Sequence, residues 1–131
     1  MRTSFMAAGF AGLLMLVAIG CGDSGPKQLD VSGSVTYDGT DVSSGEIFFT
    51  SDDKSIGAVE AKIKDGKYTT KLREGKHKVE IRASRVVPGK KGPMGTEDLL
   101  EAYIPKKYND QSTLTVEVGA GKTTHDFKLD K

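Results

Sequence analysis

Two histidines and a single cysteine are the residues with the widest chemical range in this 131-residue chain. His77 and His125 each share an alternation phase with apolar neighbours, which makes each ring a candidate metal ligand or general base. No His-x-His motif, second cysteine or nearby carboxylate cluster supplies the three or four ligands that zinc or copper needs. We interpret both histidines as partly buried strand residues and predict no metal and no cofactor.

The sequence also lacks the residues that a hydrolase needs. A nucleophilic hydrolase needs an activated serine or cysteine with a base and an oxyanion hole, and the sequence has no Gly-x-Ser-x-Gly motif. Asp52 and Asp53 place two carboxylates in one loop, fewer than the six or more oxygens that calcium requires. The sequence therefore predicts no catalytic residue and a protein that is not an enzyme.

Cationic and aromatic side chains gather around a long segment, 87–111, that breaks the regular strand spacing. They are Arg85, Lys90, Lys91, Tyr103, Lys106, Lys107 and Tyr108, with Arg82 close by. Loops of this length in a compact domain are often functional, and lysine and arginine pair well with phosphates and carboxylates. One hypothesis is a binding surface for a glycan, a peptide, an anionic envelope polymer or an envelope protein.

The alternative is that segment 87–111 is a solvated cover over one edge of the sheet. Tyr103, Ile104 and Tyr108 would then pack beneath it as a hydrophobic underside. Acidic residues dilute the positive charge of the segment, which favours this second interpretation. They are Glu97, Asp98 and Glu101.

The first twenty residues have the order of a secretory signal peptide: basic Arg2, an apolar run over 5–19, and the small residue Gly20. The run is shorter than the roughly 20 residues of a membrane-spanning helix. We predict a signal helix over 1–20, a flexible tether over 21–28 and one domain over 29–131.

Residues 17–21, Val-Ala-Ile-Gly-Cys, resemble the lipobox of bacterial lipoproteins, with Ala18 where leucine is most usual. The resemblance implies that the thiol of Cys21 receives a diacylglycerol, that cleavage occurs just before it, and that fatty chains such as palmitate anchor the protein. An aspartate after the cysteine retains many lipoproteins in the inner membrane. Gly22 stands there instead, so we predict a lipid-anchored, extracytoplasmic envelope protein, with the outer membrane favoured over the inner.

Charge excludes a further class of function. Loss of Arg2 with the signal peptide leaves 18 of the 19 Lys and Arg residues against 18 Asp and Glu. Nucleic-acid binding requires a concentrated basic surface, so this neutral balance predicts no nucleic-acid partner.

From Leu29 onward the apolar residues recur with a period of two, which is typical of half-buried β-strands. Alternation is visible over 29–37, 46–50, 59–64, 68–72, 77–83, 113–118 and 123–129. Asp65-Gly66 between two such runs is a strong hairpin signal. Thr96 to Tyr103 is expected to form one or two helical turns, ended by Pro105. The pattern predicts an all-β fold: a seven-stranded antiparallel β-sandwich of Greek-key type with one long loop.

Three segments resemble the carboxypeptidase regulatory-like domain: Val31 to Gly39, Gly66 to Tyr68, and Leu72 to Ile81. Segments 103–109 and 112–118 resemble a branch of small bacterial lipoproteins with that domain. The resemblance implies a transthyretin-like (prealbumin-like) sandwich, although His77 stands where the family more often has tyrosine. Some transthyretin-like proteins are purine-pathway hydrolases with a Tyr-Arg-Gly-Ser-like tail, which this chain lacks. The resemblance therefore implies an architecture and no reaction.

These observations favour a non-catalytic, lipid-anchored module of the cell envelope with a structural or weak recognition role. The alternative is a ligand-binding sandwich that uses segment 87–111. The expected partners are the membrane, through the anchor, and an envelope protein or polysaccharide.

Overall fold

A computed structural model describes residues 27–131 of the chain. The predicted signal peptide, Cys21 and nearly all of the predicted tether lie outside the described residues, and the first strand begins at Gln28. The fold is all-β, as predicted, and no helix within residues 27–131 has the length and apolarity needed to cross a bilayer. The strands are β1 Gln28–Tyr37, β2 Thr40–Asp41, β3 Ser44–Ser51, β4 Ala58–Lys64, β5 Lys67–Arg73, β6 Gly75–Lys91, β7 Asp98–Ala102, β8 Thr115–Val118 and β9 Phe127–Leu129.

The strands form one sheet in the order β2-β1-β5-β4-β3-β6-β7, which curls into a half-barrel. β8 pairs with the first part of β6, and β9 pairs with the end of β1. The β1–β9 pairing is parallel, whereas all other strand pairs are antiparallel. This parallel pair is a departure from the fully antiparallel prediction. It arises because the last segment crosses the molecule to reach the free edge of β1.

The core follows the predicted alternation. On β6, His77, Val79, Ile81 and Ala83 are buried while the residues between them face outward. Because successive side chains of a strand point to opposite faces, one phase of each strand supplies the interior. The core consists of Val31, Val35, Val42, Ile47, Phe49, Ala61, Ile63, Tyr68, Leu72, Val79, Ile81, Ala83, Ile104, Val118, Phe127 and Leu129.

The predicted hairpin at Asp65-Gly66 is confirmed. Asp65 has φ +51° and Gly66 has φ +74°, as a type I′ turn requires at both central residues. The two strands it joins, β4 and β5, pair only at Lys64 and Lys67. The half of the sheet that contains β1 and β5 therefore separates from the half that contains β3, β4 and β6.

Segment 87–111 is not a continuous loop, and the helix expected from Thr96 to Tyr103 is wrong. β6 continues to Lys91 and pairs with β7, which occupies most of the segment expected to be helical. A helix of one or two turns has little stability of its own, so pairing with the neighbouring strand decides the conformation. Pro88 and Gly89 lie where the register of β6 and β7 shifts, between Val86 and Lys91. This irregularity tolerates the missing backbone N–H of Pro88 and the φ of +74° at Gly89.

Candidate binding surface

The most prominent feature outside the body is a β-hairpin that we call the arm, residues 84–102. It exists because β3 pairs with β6 only up to Gly45 and Ala83, whereas β6 runs on to Lys91. β7 returns along the opposite edge of β6, with Arg85 opposite Glu101 and Val86 opposite Leu100. The arm therefore projects past the sheet with little core of its own, and nearly all its side chains are exposed.

The predicted cations on the arm have acidic partners across the hairpin. The Arg85 guanidinium lies 3.2 Å from the Glu101 carboxylate, and Lys91 Nζ lies 2.8 Å from Asp98. Lys90 lies in the irregular stretch between the two pairs, and it is exposed. Two of the three acidic residues that dilute the charge of the segment, Asp98 and Glu101, thus pair with cations, and the arm is not a continuous basic surface.

The other predicted site residues lie at the base of the arm and pack on the body. The ring of Tyr103 meets Tyr37 edge to face at 5.5 Å, and Arg85 lies over Tyr103 at the same distance. Burial raises the pKa of the Tyr103 hydroxyl above its usual value. Ile104 next to it is buried in the core, which supports the interpretation of this stretch as a hydrophobic underside.

Lys106, Lys107 and Tyr108 form a short 3₁₀ turn. Lys107 Nζ lies 5.0 Å above the Tyr108 ring and donates to the carbonyl oxygen of Lys131 at 3.0 Å. The Tyr108 hydroxyl accepts a hydrogen bond from the backbone N–H of Asp130 at 3.0 Å. These three residues hold the last segment of the chain, and Lys106 stays exposed beside them.

Asn109 and Ser112, which the sequence analysis did not single out, close the edge of β6 between β7 and β8. The Asn109 amide donates to the carbonyl oxygens of Ile81, Ile104 and Pro105 at 3.2–3.4 Å. The Ser112 hydroxyl donates to the carbonyl oxygen of Val79. Both side chains are buried and satisfy backbone groups that no strand reaches. Their polar side chains did not indicate this role, because polar residues are ordinary in a segment that reads as a loop.

Replacing Asn109 by alanine is expected to lower the free energy of unfolding by about 2 kcal/mol, because buried carbonyl oxygens lose their donor. Urea unfolding of the purified protein measures this. Asp110→Ala is the matched control: it removes only the exposed ion pair with Arg82, so its effect should stay within the roughly 0–1 kcal/mol of surface pairs. Equal losses for the two variants would contradict the bridging role of Asn109.

An open groove of about 660 Å³ lies where the arm leaves the body. It is lined by Ser43, Ser44, Gly45, Glu46, Lys62, Arg82, Ala83, Ser84, Arg85, Val86 and Leu100. Of these, only Arg82 and Arg85 were named in the sequence analysis. The others are Ser43, just before β3, and residues of four strands that meet only through the pairing of β3, β4, β6 and β7, which no local pattern reveals.

Ion pairs hold the charged lining of the groove in place. Lys62 Nζ lies 2.5 Å from Glu46 and 3.0 Å from Glu60, and the hydrogen bond to Glu46 is the main reason its pKa is raised. Arg82 lies 2.8 Å from Asp110. All of these side chains are accessible to water, so each pair contributes little to stability and can exchange for a ligand.

The two histidines lie in different places. His77 is buried, and its Nε2–H donates to the carbonyl oxygen of Arg73 at 2.9 Å, while Nδ1 has no hydrogen-bond partner among the described residues. His125 is half-buried and bonds through Nε2 to the carbonyl oxygen of Lys122 at 3.0 Å. Within residues 27–131 no three His, Cys, Asp or Glu side chains cluster closely enough to hold a metal ion. Each histidine ring thus forms a hydrogen bond with a backbone carbonyl oxygen a few residues earlier in the chain.

The sequence matches no family model, and no curated protein is similar to it at a significant level. Among solved structures, the fold is similar to that of a DUF3823 family protein from Parabacteroides merdae, with 13% sequence identity and a TM-score of 0.41. The similarity covers 81% of this chain and 46% of the other, so this chain spans about half the length of that protein. Similarity at this level assigns no function to the arm or the groove.

Proposed function

We propose that the protein is a non-catalytic, lipid-anchored module of the bacterial cell envelope that holds the arm away from the membrane. The domain is proposed to be a transthyretin-like β-sandwich of the carboxypeptidase regulatory-like type. The near-absence of pairing between β4 and β5 supports two facing layers, because the sheet opens there and core side chains come from both halves.

The observation that carries this proposal is the position of the two ends of the domain. β1 begins at Gln28, which pairs with Arg73 beside the turn into β6, and β6 begins at Gly75. The proposed anchor, Cys21, therefore attaches at the end of the body where β6 starts. The tip of the arm lies at the opposite end of the same strand.

The length of β6 sets the reach of the arm. Its 17 residues span at most about 55 Å at a rise of about 3.3 Å per residue. About half of this length lies beyond the last pair with β3 at Ala83. A module tethered near Gln28 would thus carry the arm well above the lipid headgroups, where it meets other envelope components.

Replacing Cys21 by serine is expected to abolish acylation and to move essentially all of the protein from the membrane fraction to the soluble fraction. Stable anchoring needs at least two fatty chains, at about 0.8 kcal/mol for each buried methylene, and the variant has none. Metabolic labelling with a palmitate analogue and fractionation of the producing cells measure both effects.

Gly22→Asp is the matched control for this experiment. It keeps Cys21 and should stay acylated and membrane-bound, with a shift from the outer to the inner membrane if the cell has both. Continued membrane retention of Cys21→Ser would refute the lipid anchor. Loss of acylation in Gly22→Asp would show that the assay reports secretion failure and not anchoring.

A second candidate function, recognition of a ligand through segment 87–111, is favoured by the exposure of the arm. Val86, Met94 and Leu100 are 50%, 82% and 63% exposed, which is unusual for large apolar side chains placed on one hairpin. The pairing of Arg85 and Lys91 with acidic neighbours argues against a purely electrostatic ligand such as an anionic polymer.

A further inference from the structure

Both outer edges of the arm are left uncovered by the strands of residues 27–131, and the edge of β6 opposite β7 is the one that borders the groove. On β6, the backbone of Val79 and Ala83 bonds toward Leu114, Ser112 and Tyr103, on the side of β7 and β8. Backbone groups alternate between the two edges of a strand, so Val86 directs its N–H and C=O to the opposite edge. β3 occupies that edge only as far as Ala83, and beyond it the edge is open.

The open edge forms one wall of the groove described above, and an apolar pair lies beside it. Val86 and Leu100 are directly opposite each other on β6 and β7, and both line the groove. An exposed edge next to exposed apolar side chains is the arrangement that accepts an additional strand, since main-chain bonds supply affinity and the side-chain pair supplies selectivity.

The charge of the groove indicates the chemistry of the added strand. Its lining has three cations, Lys62, Arg82 and Arg85, against one carboxylate, Glu46. The other carboxylates that pair with these cations lie outside the lining; they are Glu60, Asp110 and Glu101. All three cations are largely exposed, at 70%, 48% and 63% of their side chains. An acidic segment can therefore replace their present partners without burying an unpaired charge.

We propose that the groove binds an extended, acidic segment of a partner protein, which pairs as a strand with β6 at Ser84–Val86 and continues the line of β3. An apolar side chain of the segment packs on Val86 and Leu100. Because side chains alternate between the two faces of a strand, an acidic side chain two positions away lies on the same face and meets Arg82 and Lys62. An acidic side chain next to the apolar one lies on the other face and meets Arg85. This inference deepens the recognition role proposed for the arm and is independent of the lipid anchor. A glycan fits less well because the groove lining contains no aromatic ring on which a sugar could stack.

The test measures binding of a fluorescent seven-residue peptide, with a central valine and three glutamates on each side, to the full-length protein in detergent, by anisotropy at low salt. We expect saturable binding that weakens as salt is added. Val86→Glu and Leu100→Glu should each weaken binding at least tenfold. Met94→Glu, which changes an even more exposed apolar residue outside the groove, should leave affinity within twofold.

Two control peptides separate the parts of the proposal. A peptide with lysine in place of glutamate should bind at least tenfold more weakly. One in which the central valine and the glutamates two positions from it are N-methylated should not bind, because it cannot donate main-chain bonds to β6. Circular dichroism checks that each variant melts like the wild type.

Equal affinity for all three peptides, or unchanged binding by Val86→Glu and Leu100→Glu, would overturn the proposal. So would a wild-type dimer that Val86→Glu dissociates, since a second copy would then be the occupant. None of these outcomes bears on membrane anchoring, which Cys21→Ser tests separately.

Discussion

Replacing Phe49 by alanine is expected to lower the free energy of unfolding by about 4 kcal/mol, as is typical for a fully buried aromatic ring. Phe49 has no exposed surface and lies at the centre of the core, with its ring 5.7 Å from that of Tyr68. The substitution leaves a cavity between β3 and β5 that the close-packed neighbours cannot fill. Urea unfolding of the full-length protein, followed by circular dichroism, measures the loss.

Phe48→Ala is the matched control, because it makes the same chemical change one position earlier on the same strand. Phe48 lies on the outer face and is only partly buried. Its replacement should cost about 1 kcal/mol. If the two variants lose equal stability, the assignment of one face of β3 to the core is wrong, and the register of β3 with β4 and β6 is wrong with it.

Replacing Gly33 by alanine is expected to cost about 3 kcal/mol and to detach the last segment of the chain from β1. A Cβ atom at this position would lie 1.8 Å from the carbonyl oxygen of His125, closer than any contact allows. That oxygen also accepts a hydrogen bond from the Tyr68 hydroxyl, with the two oxygens 2.6 Å apart, so the added methyl displaces a partly buried hydrogen bond as well. Unfolding measurements and hydrogen exchange of 123–129 report the two effects.

Gly119→Ala provides the comparison for Gly33→Ala. An added Cβ at Gly119 meets no atom within 4 Å, and its φ is outside the left-handed region. Its effect on stability should therefore be small, or slightly favourable because alanine restricts the unfolded chain. Full protection of the 123–129 amides in Gly33→Ala would contradict the close approach of this segment to β1.

The predicted part of the fold is the part that local pattern determines. Alternation over 29–37 and 77–83 places Val31, Val35, Val79 and Ile81 in the core, because the period of two allows one buried face. The Asp65-Gly66 turn was also predictable, since few residue pairs adopt positive φ at both positions.

β7 itself and the parallel pairing of β9 were beyond such reasoning, because strand pairing and not local pattern decides them. Asp98–Ala102 has no alternation of its own and becomes a strand only because β6 extends past β3 and offers an edge. β9 was expected as a strand, yet its parallel pairing with β1 depends on contacts across nearly the whole domain. Propensity yields to tertiary pairing in both cases.

The candidate site was predicted in composition but not in arrangement. The sequence showed the cations Arg85 and Lys91 and the nearby acids, yet the pairing of Arg85 with Glu101 follows only from the hairpin register. Val86 and Leu100 gave no signal, because isolated apolar residues in a presumed loop are ordinary. The groove therefore depends on the strand topology, which no sequence motif indicates.

The parallel pairing of β9 with β1 also bears on the order in which the chain folds during synthesis. The backbone N–H of Ser34 donates to the carboxylate of Asp126, 92 positions later, so this edge of β1 stays unpaired until Asp126 and β9 have left the ribosome. Contacts of such long range form slowly, since loop closure precedes any gain in energy. A chain whose closure is delayed in this way stays unfolded for longer, which is the state that the export to the envelope proposed above requires.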